Sequence, residues 1–478
     1  MIDISTLNIK ELHELYINKE TTVNEVVSLY MGNIIKNNEK INAYLEIFSD
    51  VADYVKLAQE KIDNGTATFL TGVPIAIKDN MLFMGHIASA GSKMLENYVA
   101  PYTSPVIQEL LNQGAIILGR TNMDEFAMGS STESSSFGNT LNPLDITRVP
   151  GGSSGGSAAA VSMYGALVSL GSDTGGSIRQ PAAYCGLVGL KPTYGTVSRY
   201  GLIAMASSFD QIGPLAKNID DAEILYNALS IPDSMDQTLV PIIKRNEYKK
   251  EFKKIIGIPR DFIKDGVDPE IMDAFNKTVS GLKDMGYEIV DIKLPLTPLS
   301  LAVYYVIQPA EVSSNLGRFD GLRFGFHPDD ANLNLNDYYE KVRTGGFGLE
   351  VRRRCILGAF ILSHGYYDAY YNKAIALQKA IKNEFINAFK DVDIIMLPTA
   401  PGLPFKFGEK SDSPLAMYLE DLFTAPGNIA GIPGITVPVR YNKDSLPVGV
   451  QAYASHFNEE HLFTIGRDIE NLNNKNNE

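Results

Sequence analysis

Three short segments between residues 129 and 186 are unusually rich in glycine and serine. They read GSSTESSSFGN (129–139), PGGSSGGSAAA (150–160) and GSDTGGSIRQPAAYCG (171–186). Glycine lets the backbone approach a ligand closely, and successive N–H groups in such turns form concavities that hold anions. A serine beside those N–H groups could act as a nucleophile while they stabilise the negative charge that develops.

Two other interpretations of these segments compete with a nucleophile. Tight turns whose serines satisfy backbone groups would explain one such segment, but not three in close succession. A Walker-type phosphate loop requires Gly-Lys and then Ser or Thr after a four-residue gap, and no lysine follows either glycine cluster in this way. The sequence therefore favours a serine nucleophile, with an oxyanion hole formed by N–H groups of DTGGS (173–177).

A serine nucleophile needs a base, and the sequence offers two kinds. None of the six histidines lies between His86 and His327, which is only a hint against a Ser-His-Asp triad because folding joins distant residues. Lys78 ends the apolar run VPIAI (73–77), so a strand would carry it into the interior. As a base it would need its pKa lowered from about 10.4, which burial can achieve. A structural ion pair with Asp79 is the alternative.

Short apolar runs alternate with helical patterns along the whole chain. A capping-box pair, Thr22 and Glu25, predicts a helix over 22–37. Strands are predicted at 73–77, 115–119, 166–173, 254–259, 287–294, 393–399 and 434–439, and further helices at 157–165, from Pro269 after an Asp268 cap, and over 349–389 with a break near Gly365. This alternation predicts an α/β protein with a mixed but mostly parallel central sheet, covered by helices on both faces.

The length and composition of the chain predict its domain organisation and its cellular location. No linker divides the 478 residues, so we expect one large domain at 61–470, an N-terminal helical region at 1–60 packed on it, and a polar tail at 471–478. Two cysteines, Cys185 and Cys355, are too few for a disulfide framework. No apolar stretch reaches the roughly 18 residues of a membrane span, and no basic segment opens a signal peptide. We therefore expect a cytoplasmic protein that does not bind membranes.

The charge balance of the chain disfavours direct binding of nucleic acid. Lysine and arginine total 42 against 56 aspartates and glutamates, a formal net charge of −14. Proteins that hold nucleic acid by themselves carry a basic face, because phosphate contacts supply much of the affinity. No long basic run is present, so any role with RNA would need a basic partner.

The motifs PGGSSGGSAAAV (150–161), GSDTGGSIRQPAAYCGLVGLKPTYG (171–195) and VPIAIKDN (73–80) resemble those of the amidase signature family. The resemblance extends from about Leu12 to Asp468. It includes the spacings between three matching positions, which are 75 residues from Lys78 to Ser153 and 24 residues from Ser153 to Ser177. It implies an amidase fold and a triad in which Ser177 is the nucleophile, Ser153 the bridging serine after a cis Gly152–Ser153 peptide, and Lys78 the base. It also implies an oxyanion hole made by N–H groups of Thr174, Gly175, Gly176 and Ser177. Ser154 and Ser172 are expected as supporting hydrogen-bond partners.

Four further segments resemble one branch of that family, the glutamine-hydrolysing A subunits of tRNA-dependent amidotransferases. They are TNMDEFAMGSSTESS (121–135), SSNLGRFDGLRFG (313–325), EVRRRCILGAF (350–360) and GYYDAYYNKA (365–374). The branch implies that Tyr305, Arg354 and Asp421 hold glutamine. An arginine pairs with the α-carboxylate and an aspartate with the α-ammonium group. If the alignment of this sequence with the family is shifted by one residue, Tyr304 and Arg353 take these roles instead.

The same resemblance implies partners. B and C subunits would complete a heterotrimer in which ammonia from this chain amidates misacylated tRNA, held mainly by the B subunit. ATP and Mg²⁺ would bind in a partner protein, with no cofactor or metal in this chain. Either glutamyl-tRNA(Gln) or aspartyl-tRNA(Asn) fits as the acceptor. The alternatives are a stand-alone amidase for simple amides, which would not need Tyr305, Arg354 and Asp421, and a non-catalytic scaffold subunit.

Overall fold

One sheet of eleven strands is the centre of the fold. The computed structural model describes residues 2–328, 332–410, 413–439 and 446–477. The strands are β1 (Tyr44–Ile47), β2 (Pro74–Lys78), β3 (Ile116–Thr121), β4 (Val168–Asp173), β5 (Val188–Lys191), β6 (Gln211–Ala216), β7 (Ile255–Ile258), β8 (Glu288–Asp291), β9 (Ile394–Pro398), β10 (Gly434–Val439) and β11 (Val448–Ala454). Their order across the sheet is β1-β3-β2-β4-β6-β5-β10-β11-β9-β7-β8.

Helices flank this sheet. They are α1 (Ile9–Ile17), α2 (Val23–Ile41), α3 (Val51–Asp63), α4 (Pro105–Asn112), α5 (Gly155–Ser162), α6 (Arg179–Tyr184), α7 (Ile219–Leu229), α8 (Ile242–Arg245), α9 (Arg260–Ile263), α10 (Pro269–Asp284), α11 (Ser300–Asn315), α12 (Leu335–Gly346), α13 (Leu349–Ile361), α14 (Asn372–Ala388), α15 (Pro414–Tyr418), α16 (Ala425–Ala430) and α17 (Glu459–Asn477). Single 3₁₀ turns occupy Lys93–Leu95, Glu125–Ala127, Asn246–Tyr248, Thr297–Leu299, Leu316–Arg318 and Leu419–Asp421, and a π-helical turn occupies Tyr367–Tyr371. No helix in the described part of the chain is long and apolar enough to cross a membrane.

The predicted α/β domain with a mixed sheet is confirmed, but the expectation that its strands are mostly parallel is wrong. Among the described residues β2 runs parallel to β3 and β4, and β7 runs parallel to β8 and β9. The other six ladders are antiparallel. Parallel neighbours need a long crossover connection. β5 and β6 pair antiparallel with no α-helix between them, and the order of elements along the chain does not specify such a pairing.

Local sequence signals located several elements correctly. α2 begins after Thr22, whose side chain and that of Glu25 form the predicted capping box. Asp268 caps α10 as expected. The helical stretch predicted over 349–389 is divided into α13, the π-helical turn and α14, and Gly365, near the predicted break, has φ +86°.

The N-terminal segment contributes a strand as well as helices. Its strand β1 pairs with β3 at the edge of the sheet. Asp221 Oδ1 accepts a hydrogen bond from the N–H of Ile9 at 2.9 Å, and Tyr16 donates to the carbonyl of Gly72 at 3.1 Å. The boundary at residue 60 stays a prediction. At the other end α17 continues through the segment predicted as a polar tail as far as Asn477, and residue 478 lies outside the described residues.

Two parallel neighbours position the chemistry. β2 ends at Lys78 and β4 ends at Asp173, and the two strands pair directly, with Ile77 opposite Leu170. The carboxyl ends of adjacent parallel strands meet at one edge of a sheet, where α/β proteins commonly bind ligands. Of the three glycine-rich segments, the second therefore begins α5 beside Lys78, and the third turns from β4 into α6.

Candidate active site

Lys78 lies at the end of β2 and is fully buried among three serine hydroxyl groups. Its Nζ is 2.8 Å from Ser153 Oγ, 2.9 Å from Ser154 Oγ and 2.9 Å from Ser172 Oγ. The structure therefore brings the predicted base to the predicted bridging serine and to both predicted supporting serines. No carboxylate pairs directly with Lys78 among the described residues, whereas Asp79, the alternative partner, pairs with Arg120 at 2.8 Å.

Burial governs the protonation of Lys78. It lowers the pKa of the amine to about 7, although the more distant carboxylates of Asp124, Asp173 and Asp210 raise it. A shift of this size is what desolvation of a charged amine produces. Near neutral pH a large fraction of Lys78 is thus uncharged and able to accept a proton.

The hydrogen bonds around Lys78 are compatible with a lone pair that faces Ser153. The Ser154 hydroxyl donates to the carbonyl of Ser172 at 3.2 Å, and Asn80 Nδ2 donates to Ser172 Oγ at 3.0 Å. An uncharged amine has two hydrogens and one lone pair, and a hydroxyl has one hydrogen. If Lys78 gives its hydrogens to Ser154 and Ser172, the lone pair faces Ser153. Sequence reasoning missed Asn80, although it lies two residues from Lys78.

The bridging serine follows a cis peptide, Gly152–Ser153, and its neighbour contacts the predicted nucleophile. The N–H of Ser154 donates to the carbonyl of Ser177 at 3.2 Å. Ser153 is fully buried, whereas Ser177 is 7% exposed. Of the three predicted triad residues, Ser177 is therefore the least buried, as a nucleophile that a substrate must reach requires.

Residues 174–177, the oxyanion turn, connect β4 to α6. Over the described residues, the N–H groups of Thr174, Gly175, Gly176 and Ser177 have no hydrogen-bond acceptor. Gly176 has φ +148°, and a Cβ there would lie 2.2 Å from Thr424 Oγ1, so a side chain is excluded. Thr424 donates to the carbonyl of Gly175 at 2.6 Å. These N–H groups are available to a negatively charged oxygen, and their role as an oxyanion hole stays a prediction.

Two buried aspartates hold the ends of the oxyanion turn. Burial opposes ionisation of Asp173, but Arg179, together with Lys191 and Asn428, outweighs it and lowers the pKa of Asp173 to about 2. Arg179 Nε and Nη2 each lie 3.0 Å from this carboxylate, and Asn428 Nδ2 donates to it at 2.8 Å. Thr174 donates to Asp210 Oδ1 at 2.7 Å. The turn is therefore fixed before any substrate binds.

Replacing Arg179 with methionine should destabilise the fold by about 3–5 kcal/mol, because Asp173 would remain buried without its partner. The free energy of unfolding from urea denaturation measures this change. The matched control is Arg260→Met, which removes an arginine from an exposed pair with Asp291 and should change stability by less than about 0.5 kcal/mol. Equal effects of the two substitutions would contradict the prediction.

Tyr305, Arg354 and Asp421, the amino-acid clamp, come together from three elements. Tyr305 on α11 donates to Asp421 Oδ2 at 3.2 Å. The guanidinium carbon of Arg354, on α13, lies 5.3 Å from the centroid of the Tyr305 ring. The neighbouring Tyr304 instead packs against the oxyanion turn, where a Cβ on Gly175 would lie 2.8 Å from its Cζ. The geometry thus brings Tyr305, rather than Tyr304, to Asp421.

Three residues that sequence reasoning missed complete this cluster. Glu350 Oε1 lies 2.8 Å from Arg354 Nε and accepts from the Tyr418 hydroxyl at 3.0 Å. The Tyr418 ring stacks on Tyr305 with centroids 3.9 Å apart. Ser130 donates to both carboxylate oxygens of Asp421 at 3.2 Å. The i,i+4 spacing of Glu350 and Arg354 could have indicated that pair.

Arg354 and Glu350 line a cavity of about 350 Å³, together with Gly129, Ser131 and Tyr418. This volume lies within the range of small-molecule sites. Arg353 also lines it, but its side chain is 42% exposed and pairs with Glu350. Among the described residues, no group of three or more His, Cys, Asp or Glu side chains could hold a metal ion.

Comparisons with known proteins show which sequences and structures this chain resembles. The sequence profile described as Amidase matches residues 25–463. A glutamyl-tRNA(Gln) amidotransferase A subunit of Clostridium acetobutylicum, the one numbered 2, is 48% identical over 476 residues, 98% of this chain and 99% of that protein. The A subunit from Thermoanaerobacter pseudethanolicus is 47% identical, over 99% of this chain and 97% of its own. The crystal structure of the glutamyl-tRNA(Gln) amidotransferase A subunit from Thermotoga maritima superposes with a TM-score of 0.79 at 37% identity, covering 98% of this chain and 95% of that one.

Proposed function

This chain belongs to the amidase family, and on that basis we propose that it is the glutamine-hydrolysing A subunit of a tRNA-dependent amidotransferase. The observation that carries the proposal is the convergence of Arg354 and Asp421 on Tyr305. Glutamine presents an α-carboxylate and an α-ammonium group, and a simple amide presents neither. An arginine and an aspartate in one cluster therefore support an amino-acid substrate. The names of the relatives, which are amidotransferase A subunits, support the same assignment.

In the proposed reaction Lys78 acts as the base through Ser153. Ser153 takes the proton of Ser177 and passes its own to the Lys78 lone pair, while Ser177 Oγ attacks the side-chain amide carbon of glutamine. N–H groups of the oxyanion turn stabilise the oxyanion. The proton returns through Ser153 to the leaving nitrogen, ammonia departs, and a glutamyl ester remains on Ser177. Water then releases glutamate by the same proton route in reverse.

Further features of the proposal concern the assembly. B and C subunits form a heterotrimer with this chain in the cytoplasm, and the B subunit holds most of the misacylated tRNA. ATP and Mg²⁺ act in a partner, and this chain uses no cofactor. Glutamyl-tRNA(Gln) is the proposed acceptor, with aspartyl-tRNA(Asn) as the second candidate. The net charge of −14 supports placing the tRNA contacts on another protein of the assembly.

The test is glutamate release from glutamine by the purified chain, alone and with B and C subunits, misacylated tRNA and ATP. Acetamide and propionamide serve as comparison substrates. Glutamine cleavage that rises when the partners and tRNA are added is the expected result. Rapid cleavage of simple amides without use of glutamine would instead identify a stand-alone amidase. Assembly with B and C subunits without any amide cleavage would identify a scaffold.

Replacing Arg354 with methionine should raise the KM for glutamine about 10- to 100-fold, because a charge-assisted contact to the α-carboxylate is worth about 1.5–3 kcal/mol. Turnover of propionamide, which has no carboxylate, should change less than threefold. Steady-state kinetics of both substrates measure the difference, with Arg260→Met as the control. A larger effect on the KM from Arg353→Met than from Arg354→Met would show that Arg353 contacts the α-carboxylate in place of Arg354.

A further inference from the structure

Glu125 is a buried carboxylate that neither the triad nor the amino-acid clamp contains. It begins the turn after β3, within the segment TNMDEFAMGSSTESS (121–135), and is 1% exposed. Its Oε2 accepts a hydrogen bond from the N–H of Gly348 at 2.8 Å. Its Oε1 accepts from Ser92 Oγ at 2.5 Å. A residue near the triad is thus bonded to a residue 223 positions away in sequence.

Gly348 is the N-cap residue of α13, directly before its first residue, Leu349. α13 carries Glu350 in its first turn and Arg354 one turn later. A helix behaves as a rigid element over this distance, so the placement of its first residue decides where Arg354 lies relative to Asp421. A carboxylate at a helix N-terminus satisfies a free N–H group there and interacts favourably with the helix dipole. Glu125 is therefore an N-terminal anchor for the helix that carries Arg354, one of the three clamp residues.

The contact between Glu125 and Gly348 is too close to admit a side chain. A Cβ on Gly348 would lie 2.3 Å from Glu125 Oε2. The backbone of Gly348 has φ −69° and ψ 171°, which other residues adopt readily. Glycine is thus required here for the approach of the carboxylate and not for its backbone conformation.

Ser92 extends the anchor to the end of α12. Its Oγ lies 3.3 Å from the carbonyl of Gly346 as well as 2.5 Å from Glu125. Burial raises the pKa of Glu125 to about 7, although Ser92, Gly348 and Arg352 oppose the shift. A protonated Glu125 can donate to Ser92, which then donates to Gly346. In that state both sides of the α12–α13 junction are bonded.

We propose that Glu125 is a positioning residue for glutamine binding, which holds the start of α13 so that Arg354 faces the α-carboxylate of the substrate. This inference rests on the proposed function. Glu125 does not take part in proton transfer, since its bonds run to Ser92 and Gly348 and not to the triad. Its loss should therefore change the KM for glutamine and leave kcat nearly unchanged.

The first test compares Glu125→Ala and Glu125→Gln in the chain co-purified with its B and C subunits. We expect the alanine variant to raise the KM for glutamine about tenfold with kcat within threefold. The glutamine variant should stay within twofold of the wild-type KM, because its amide can accept from Gly348 and donate to Ser92 as protonated Glu125 does. An unchanged KM in Glu125→Ala would overturn the inference. A decrease in kcat as large as the increase in KM would overturn it as well.

Glu470 provides the matched control. It is also a glutamate whose pKa burial raises to about 7, and its Oε1 accepts from the N–H of Ile219, the first residue of α7, at 2.9 Å. Glu470→Ala should leave the KM for glutamine within twofold even if it lowers thermal stability. A tenfold rise of the KM in Glu470→Ala would show that the effect of Glu125→Ala comes from general destabilisation. A wild-type enzyme that does not cleave glutamine would overturn the proposed function itself.

A second variant keeps the inference testable if Glu125→Ala folds poorly. Gly348→Ala should push the carboxylate away and raise the KM about as much as Glu125→Ala does. An unchanged KM in Gly348→Ala alone would contradict the anchor whether or not Glu125→Ala folds. Where Glu125→Ala does fold, the added methyl group has room in that background, so Gly348→Ala should add less than twofold there. Fully multiplicative effects of the two substitutions would show that they act independently, and would contradict a shared anchor.

Discussion

Glutamine hydrolysis should fall at least about 10⁴-fold when Ser177 is replaced with alanine, because no oxygen remains to attack the amide carbon. What survives is catalysis by the oxyanion turn and by substrate positioning, which in comparable hydrolases is far below the full rate. Ser177 is the least buried of the three triad residues, at 7% exposed, so loss of its small hydroxyl should leave the melting temperature nearly unchanged. Glutamate release and thermal unfolding measure both quantities, with the exposed Ser28→Ala on α2 as the control.

The acyl intermediate offers an independent check of the same residue. Hydroxylamine added to the wild-type enzyme with glutamine should attack the glutamyl ester, form γ-glutamyl hydroxamate and regenerate the Ser177 hydroxyl. Ser177→Ala should form no hydroxamate above the uncatalysed background. Hydroxamate at the wild-type level in that variant would place the acyl group on another residue.

Local sequence patterns predicted the buried strand end at Lys78 and the close backbone approaches of the glycine-rich segments. The run VPIAI (73–77) indicated a buried strand that ends at Lys78, and the structure has β2 over Pro74–Lys78. The density of glycine in PGGSSGGSAAA (150–160) and GSDTGGSIRQPAAYCG (171–186) indicated close backbone approaches, which the contacts of Gly176 with Thr424 and of Gly152 with Asp124 explain. Both patterns are local, because an apolar strand and a position that requires glycine can each be identified from a few neighbouring residues.

Contacts between distant elements were not predictable in the same way. Glu350 contacts Tyr418, and Ser130 contacts Asp421, only in the folded chain, because the two members of each pair are far apart in sequence. The antiparallel ladders have the same origin, because the direction of β6 beside β4 and β5 depends on how the chain returns to the sheet. No periodicity or spacing along the sequence encodes such a return.

Replacing Lys78 with methionine should lower kcat at least about 10³-fold, since Ser153 would lose the only amine within hydrogen-bond reach among the described residues. Lys78→Arg should be equally inactive at every accessible pH, because an arginine does not lose its proton. Both variants retain a long side chain in the buried site. Activity in either variant within tenfold of the wild-type enzyme would identify a different base.

The pH dependence of the wild-type enzyme tests the same base without a substitution. Burial lowers the pKa of Lys78 to about 7, so the reactive uncharged amine forms as the pH rises, and kcat should increase from pH 6 to pH 8 and then level off. Burial also raises the pKa of Asp421 to about 7, against the opposing effect of Arg354. Only the ionised carboxylate pairs with an α-ammonium group, so the KM for glutamine should fall over the same range. Measuring kcat at saturating glutamine separates the two groups, and a kcat that is flat from pH 6 to pH 8 would contradict a lysine base.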